Sequence, residues 1–377
     1  MTNLLGLHLQ LLVGATVPTP APLKFSEALE SVEVTHKDQD RSGFQLVFQV
    51  GRGALELRDY ALLKEQRIKP FSRVLVNVFF GVRPLPLMDG IITNHQLAPS
   101  SDPGASKLTL TGEDVSVMMD LEKEARAYPN LSDDLIASLI LLGYLVPYGI
   151  TPQVETPPSR QTRTVDRQTT TQPRNATDLE YLKELAGRNG FVFYVETGAV
   201  PGTNVAYWGP PPRRGGAQGA LSINMGPHTN VESITFKYDE LAPKRMTFRL
   251  ESGTDETLER PTRTPPLATR IPSARKRDVL TRPDGISDGE ARARAQGEVD
   301  KSFDQVVTAN GTLDALRYGR ILKPRGLVDV RGAGEHYDGR YYVKSVTHKI
   351  DVRKGEYKQT FSLTREGVGT TVPLVSP

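Results

Sequence analysis

The six histidines of this 377-residue chain are its best candidates for metal binding or acid–base chemistry, and their spacing argues against both. None lies in a His-Glu-x-x-His pattern or has a second histidine at a local ligand spacing. The chain has no cysteine, which excludes thiolate nucleophiles, Cys-ligated metals and disulfides. His95 and His348 each follow an Asp-Gly pair, and we interpret them as structural residues. We expect no metal and no cofactor.

Carboxylates and serines give no stronger indication of catalysis. Asp133-Asp134 could supply an acid and a base, but adjacent residues of a helix point about 100° apart, and favourable charge at a helix N-terminus explains the pair better. Ser42-Gly43 and Ser252-Gly253 lack the Gly-x-Ser-x-Gly context of a serine nucleophile. The Gly-rich segment 213–219 lacks the Lys-Ser/Thr of a phosphate loop. We predict no catalytic residue and no enzymatic activity.

The charge balance does not indicate a nucleic-acid partner. Lys and Arg total 47 against 44 Asp and Glu, a net charge of +3. The basic runs Lys244-Arg245 and Arg275-Lys276-Arg277 lack neighbouring aromatic rings on which bases could stack. A nucleic-acid-binding module nevertheless stays open as a minor alternative.

No segment predicts contact with a membrane. The N-terminal Leu7-His8-Leu9-Gln10 alternates and has no basic flank, which favours a first strand over a signal peptide. The longest apolar run, Leu135 to Val146, is too short to span a bilayer. We expect a protein made in the cytoplasm without membrane association.

Two Asp-Gly pairs indicate a duplicated β-module. Asp89-Gly90 precedes a strand-like segment that contains His95, and Asp338-Gly339 precedes one that contains His348. Each is followed by a polar loop and an alternating segment that ends in Leu-Thr. Because Gly supplies the positive φ of a tight turn, both pairs predict β-hairpins. We infer one small β-module used twice.

Periodicity divides the chain into a β part, an α+β part and a second β part. Alternating segments include 31–36, 44–50, 74–81, 231–238 and 245–250. Helical spacing appears at 115–121, after Ser132, after Thr177 with Glu180 as a capping box, and at about 288–304. The 33 Gly and 28 Pro favour β-structure with long connections.

These segments predict the domain boundaries. We expect a first β-barrel over 1–120 and an α+β middle region over 121–228 with a Pro/Thr-rich loop at 152–173. A second barrel follows over 229–367, with a mobile insertion at about 252–287, and a C-terminal tail covers 368–377.

The C-terminal motifs resemble the late control gene D family, the baseplate-hub proteins of contractile phage tails, and the hub part of VgrG spike proteins. The resemblance rests on 291–304, 318–330, 338–348 and 357–365. The helix-then-strand segment 177–194 and the first-barrel segments 89–93 and 108–114 are similar to the same family.

The resemblance implies a structural protein that assembles as a homotrimer. Two similar barrels per chain form a pseudo-sixfold ring, which adapts a sixfold tail tube to a threefold spike. The implied partners are a tube protein or tube initiator above, baseplate wedge proteins around the ring, and a spike below. VgrG chains continue into a spike, so we expect the spike here to be a separate polypeptide.

The two Asp-Gly segments are our candidate ring elements. The candidate residues are Asp89, Gly90, Ile91, Thr93, Asp338, Gly339, Tyr341 and Val343. The main alternative function is a tail-associated peptidoglycan hydrolase, for which the sequence shows no identifiable lytic domain. The parent particle, whether phage, bacteriocin or cellular injection system, stays open.

Overall fold

A computed structural model describes residues 2–4, 7–15, 17–51, 60, 62–63, 65–80, 83–102, 104–157, 172–212, 215–262, 265–281 and 287–372. The protein is mainly β, as predicted. The strands are β1 (Thr2–Leu4), β2 (Leu7–Gly14), β3 (Thr19–Pro20), β4 (Leu29–Lys37), β5 (Gly43–Val50), β6 (Arg73–Phe80), β7 (Arg83–Ala98), β8 (Ser106–Asp114), β9 (Ile150–Val154), β10 (Val192–Thr197), β11 (Asn204–Gly209), β12 (Leu221–Ser222), β13 (Val231–Tyr238), β14 (Lys244–Arg249), β15 (Asp255–Leu258), β16 (Ala268–Arg270), β17 (Lys276–Leu280), β18 (Val307–Asp314), β19 (Leu327–Arg331), β20 (Gly339–Asp351), β21 (Glu356–Arg365) and β22 (Val368–Thr370). The helices are α1 (Leu23–Ala28), α2 (Asp133–Leu142), α3 (Leu145–Tyr148), α4 (Asp178–Arg188), α5 (Asp288–Phe303) and α6 (Ala315–Tyr318), with short 3-10 turns at Gln66–Ile68, Val115–Met119 and Gly226–His228.

Five strands from each half of the chain have the same connectivity. Module 1, which comprises β4 to β8, is ordered β6-β7-β8-β5-β4. Module 2, which comprises β13 and β18 to β21, is ordered β19-β20-β21-β18-β13. The numbering shows that each module uses its five strands in the same sequence along the chain. The predicted duplication is therefore present as a repeated strand topology.

The irregularities of the strands match as well. The register shifts between Leu29 and Ser31 in β4 and between Val231 and Ser233 in β13. A second pair of shifts lies between Ile92 and Asn94 in β7 and between Val343 and Ser345 in β20. Because a bulge re-aims a strand at a defined residue, these two pairs align the modules residue by residue.

This alignment corrects the sequence prediction at the Asp-Gly pairs. Asp89-Gly90 lies inside β7, paired with Leu75 and Val74 of β6, and makes no turn. Asp89 aligns with Arg340, so Asp338-Gly339 lies earlier in its module, at the end of the loop before β20. Gly90 has a packing role, because a Cβ there would lie 2.5 Å from the Glu113 carbonyl oxygen and 2.7 Å from the Phe44 ring.

The two modules are not closed barrels among the described strands. One continuous sheet runs β1-β2-β6-β7-β8-β5-β4-β20-β21-β18-β13, with β3, β12 and β19 paired at its sides. The outer strand of module 1, β4, pairs with β20 of module 2 and does not return to its own module. This pairing explains why the predicted closed barrels are wrong.

The middle of the chain forms a separate small sheet, ordered β10-β11-β9, with its own apolar core. Helix α4 begins with the predicted capping box of Thr177 and Glu180. Helix α5 begins with a second box, formed by Ser287 and Glu290. Ser132 precedes α2 as predicted, but its side chain makes no capping hydrogen bond.

The segment 252–287 is not the irregular loop that the sequence predicted. Its described part contains β15, β16 and β17; β15 and β17 flank β14, and β16 pairs with β22. These strands were missed because the side chains of β15 and β17 are mostly exposed and show no apolar alternation. Strand β22 also occupies part of the predicted tail. Residues 158–171 of the Pro/Thr-rich loop, 213–214, 263–264, 282–286 and 373–377 lie outside the described residues.

Candidate assembly interface

The junction between the two modules is an antiparallel strand pair, β4 with β20. It runs from Ser345 opposite Lys37 to Asp351 opposite Ser31. Thr35 and Thr347 face each other next to its central pair, and their hydroxyl oxygens are 3.0 Å apart. The N–H and C=O groups along any strand edge can pair with those of another strand. The same kind of pairing could therefore join further modules.

Two histidines stabilise the junction in their neutral form. The rings of His36 and His348 meet edge to face with centroids 5.4 Å apart. His348 Nδ1 lies 2.8 Å from the hydroxyl of the buried Tyr357 and 3.2 Å from Nε2 of the buried Gln359. Burial lowers the pKa of His36 to about 4, with the nearby Arg325 charge adding to the effect. Burial lowers the pKa of His348 well below its ordinary value. These contacts hold His348 in the interior of the junction.

His95 and His348 are nevertheless not equivalent. In the alignment of the modules His95 corresponds to Val346, and His348 to Leu97. The apparent match in the sequence came from the displaced Asp-Gly pairs.

His36 and Ser42 are close enough to resemble a catalytic base and nucleophile. His36 Nδ1 lies 3.1 Å from the Ser42 hydroxyl, and Asp114 lies beside them. However, the Asp114 carboxylate accepts from the Ser42 backbone N–H at 2.6 Å, and Ser42 is buried. A catalytic carboxylate orients the imidazole, and this one does not. These contacts close the connection between β4 and β5.

Arg325 of module 2 joins three parts of the chain. Its guanidinium donates to the carbonyl oxygens of Lys37 and Asp38 at 2.6 and 3.1 Å, at the end of β4. The same group lies 3.7 Å above the ring centroid of Tyr194 in the middle region and 3.4 Å from Glu196. Because Arg carries a planar fork of donors, one side chain can satisfy the strand end and stack at the same time.

The backbone at Arg325 has a counterpart in module 1. Arg325 has φ 62°. Its backbone N–H donates to the Val343 carbonyl oxygen, and the Val343 N–H donates to the carbonyl oxygen of Gly326. Phe71 has φ 68°. Its backbone N–H donates to the Ile92 carbonyl oxygen, and the Ile92 N–H donates to the carbonyl oxygen of Ser72. Positive φ is uncommon outside Gly, so its occurrence at aligned positions supports the module alignment.

The structure places the candidate ring residues of module 1 largely inside the chain. Arg73 binds both carboxylate oxygens of the buried Asp89 at 2.7 and 2.6 Å, and Asn204 donates to Asp89 at 2.9 Å. Gly90 is buried, and Ile91 belongs to the core of the middle region. Thr93 occupies the bulge and is exposed. Asp89 thus ties module 1 to the middle region.

The candidate residues of module 2 are also buried. Asp338 accepts from the Ala333 N–H at 2.7 Å, and Gly339 has φ 125°. Tyr341 is fully buried under the Arg365 guanidinium, 4.3 Å from its ring centroid, and Val343 is fully buried in the core. These four residues shape the start of β20. In both modules the candidate residues lie within β7 or at the start of β20, and Thr93 alone of the eight is exposed.

Sequence reasoning missed the residues that make the junction. Thr35 and His36 lie in the alternating segment 31–36 and Arg325 in the segment 318–330 that carries the resemblance, but none of them was a candidate site residue, and Arg325 is 288 positions from Lys37. The sequence signal for the junction is the alternating pattern, which predicts the strands without indicating which strand each one pairs with.

The described residues contain no group of three or more His, Asp and Glu that could hold a metal ion. Within the same residues no helix is long and apolar enough to cross a membrane.

The fold is that of phage tail proteins and of VgrG-like proteins of type VI secretion systems. A tail protein from Neisseria meningitidis MC58 matches with a TM-score of 0.63 at 15% identity, over 97% of this chain and 98% of that chain. The 43 kDa tail protein of prophage MuSo2 from Shewanella oneidensis matches with a TM-score of 0.65 at 13% identity, over 96% and 98%.

A third similar structure is an Escherichia coli component of the type VI secretion system, described as structurally similar to the T4 bacteriophage tail proteins gp27 and gp5. It matches with a TM-score of 0.55 at 14% identity, over 92% of this chain and 77% of that chain. No family model and no curated protein matches the sequence.

Proposed function

We propose that this chain is the structural hub of the baseplate of a contractile phage tail or injection system. Three copies form a ring that adapts the sixfold tail tube to the threefold spike. The similarity of the fold to tail and VgrG-like proteins supports the class of particle. The domains we predicted are retained in this proposal as two ring modules flanking a middle region.

The repeated module, joined head to tail, is the observation that carries this proposal. Module 1 uses its β4 edge and module 2 uses a different edge, that of β20. The contact is heterologous, and a heterologous contact repeated between copies closes a ring when its rotation allows. A ring of three such chains presents six modules of one topology, which a sixfold partner can contact in nearly equivalent ways.

The proposed partners are a tube protein on the sixfold side, a spike protein on the threefold side and wedge proteins around the ring. The proposed role is structural and involves no turnover, cofactor or specific nucleic acid. The strands that contain Asp89 to Thr93 and Asp338 to Val343 are the ring elements in this proposal.

Electron cryomicroscopy of the assembled particle tests the proposal. We expect three copies of the chain on the axis between tube and spike. Six copies, or a position at the periphery, would contradict it. Clearing of peptidoglycan by the purified protein in a zymogram would instead favour a hydrolase.

A further inference from the structure

Among the described strands, each module has one edge without a partner although its counterpart is paired. Among the described strands β13 pairs only with β18, while the equivalent β4 also pairs with β20. Beyond Ile92, β7 pairs only with β8 in the described residues, while the equivalent part of β20 also pairs with β4. The two free edges are therefore the same two edges that meet at the junction within the chain.

We propose that β13 of one copy pairs antiparallel with residues 93–98 of β7 in the next copy, in the register of the internal junction. This inference rests on the proposed ring and specifies its subunit interface. Transferring the register places Lys237 opposite Gln96, in the positions of Thr35 and Thr347. Tyr238 then faces His95, and Phe236 faces Leu97.

Exposed apolar side chains flank these edges. Phe71 is 59% exposed beside β7, and Leu241 and Tyr238 are 54% and 38% exposed at the end of β13. Arg325, the counterpart of Phe71, reaches the carbonyls of Lys37 and Asp38, which align with Asp239 and Glu240. Phe71 of one copy is thereby directed to the end of β13 in the next, where Leu241 and Tyr238 supply apolar contact in place of hydrogen bonds.

Paired cysteines test the register, because the chain has none of its own. The Gln96→Cys/Lys237→Cys variant should form disulfides between chains on mild oxidation, ending at a closed trimer on a non-reducing gel. Oxidation also traps transient contacts, so stable association of the purified protein is not required. Thr35→Cys/Thr347→Cys is the matched positive control, and it should close within one chain without a change in mass.

A register control uses Gln96→Cys/Thr235→Cys, which should crosslink at least tenfold less. Equal crosslinking of this variant, open-ended polymers, or no bond between chains while the Thr35/Thr347 control closes would each overturn the interface. Three central copies in the particle with no Gln96–Lys237 bond would reject the interface and keep the proposed function. A crosslinked trimer found at the periphery of the particle would reject the function and keep the interface.

Surface substitutions give an independent measurement. Phe71→Asp should reduce the yield of crosslinked trimer in the Gln96→Cys/Lys237→Cys background at least tenfold. Val279→Asp, at a 63% exposed position of β17, a strand that pairs with neither edge among the described residues, should change it less than twofold. Equal effects of the two substitutions would contradict a role for Phe71.

Discussion

Thr35 and Thr347 are separated by 312 positions in the chain, yet their hydroxyl oxygens lie 3.0 Å apart where the two β-modules meet. The next residue in each strand is a histidine, and the two imidazole rings also touch. The junction therefore combines a regular strand pair with two ionisable groups kept neutral by burial, and this gives it a defined pH sensitivity.

Acid should weaken the fold through His36 and His348. In the unfolded chain the pKa of His36 is 6.5, and burial lowers it to about 4 in the folded state. Above pH 6.5 His36 is neutral in both the folded and the unfolded state, so its titration does not lower the free energy of unfolding. Between pH 6.5 and about 4 the unfolded state binds a proton that the folded state excludes. Each such histidine therefore lowers the free energy of unfolding by up to about 1.4 kcal/mol for each pH unit of acidification.

Urea unfolding at several pH values measures this effect. The His36→Gln variant should lose stability less steeply below pH 6.5, whereas His228→Gln, at an exposed position, should follow the wild type. Parallel curves for the wild type and His36→Gln would show that the junction histidines do not govern the acid response.

The buried pair of Arg73 and Asp89 should be among the most sensitive contacts. Arg73→Met leaves the Asp89 carboxylate buried, with the Asn204 amide as its remaining side-chain donor among the described residues. The substitution should lower the free energy of unfolding by about 3–5 kcal/mol. Lys107→Met removes the exposed pair with Glu30 and should cost at most about 1 kcal/mol. Chemical denaturation checks both values, and equal losses would indicate that Asp89 is solvated.

Gly112 should tolerate no side chain. A Cβ there would lie 2.1 Å from the Ile91 carbonyl oxygen and 2.4 Å from the Phe44 ring, so Gly112→Ala should cost about 1–3 kcal/mol through overpacking. Gly187→Ala, in helix α4 with open space around its Cβ, should stabilise by about 0.5–1 kcal/mol. Melting temperatures of the two variants should therefore move in opposite directions.

Arg325 should resist conservative replacement. Lysine lacks the planar fork that bonds two carbonyl oxygens while stacking on Tyr194, so Arg325→Lys should cost about 2 kcal/mol. Glu196→Gln, which changes only the half-exposed partner at 3.4 Å, should cost well under about 1 kcal/mol. Similar losses from both, measured by urea unfolding, would shift the importance from the strand end to the Glu196 contact.

Phe71 should show opposite effects on stability and on assembly. Asparagine accepts positive φ more readily than phenylalanine, so Phe71→Asn should stabilise the single chain by about 1 kcal/mol. The same substitution removes the apolar side chain from the proposed subunit interface and should weaken association. Thermal unfolding and crosslinking of the same sample measure both, and tighter association would contradict the interface.

Local structure was largely predictable from the sequence. The capping box of Thr177 and Glu180 starts α4 as expected, and β13 has the predicted bounds Val231–Tyr238. Both depend on neighbouring residues, whose hydrogen-bonding side chains and apolar alternation are visible in the chain. Asp89-Gly90 failed because its turn chemistry was overridden by Arg73 and by the Phe44 ring, two contacts made in space.

From the chain alone we could predict a mainly β protein, the start of helix α4 at the capping box of Thr177 and Glu180, a helix over about 288–304, and a recurring β-module. The folded chain sets the pairing of β4 with β20, the contact of Arg325 with the end of β4, and the edges that stay free among the described strands. The reason is physical: backbone N–H and C=O groups are alike in every strand, so an alternating pattern predicts a strand without naming its partner. That choice depends on bulges, positive φ at Phe71 and Arg325, and packing between residues hundreds of positions apart.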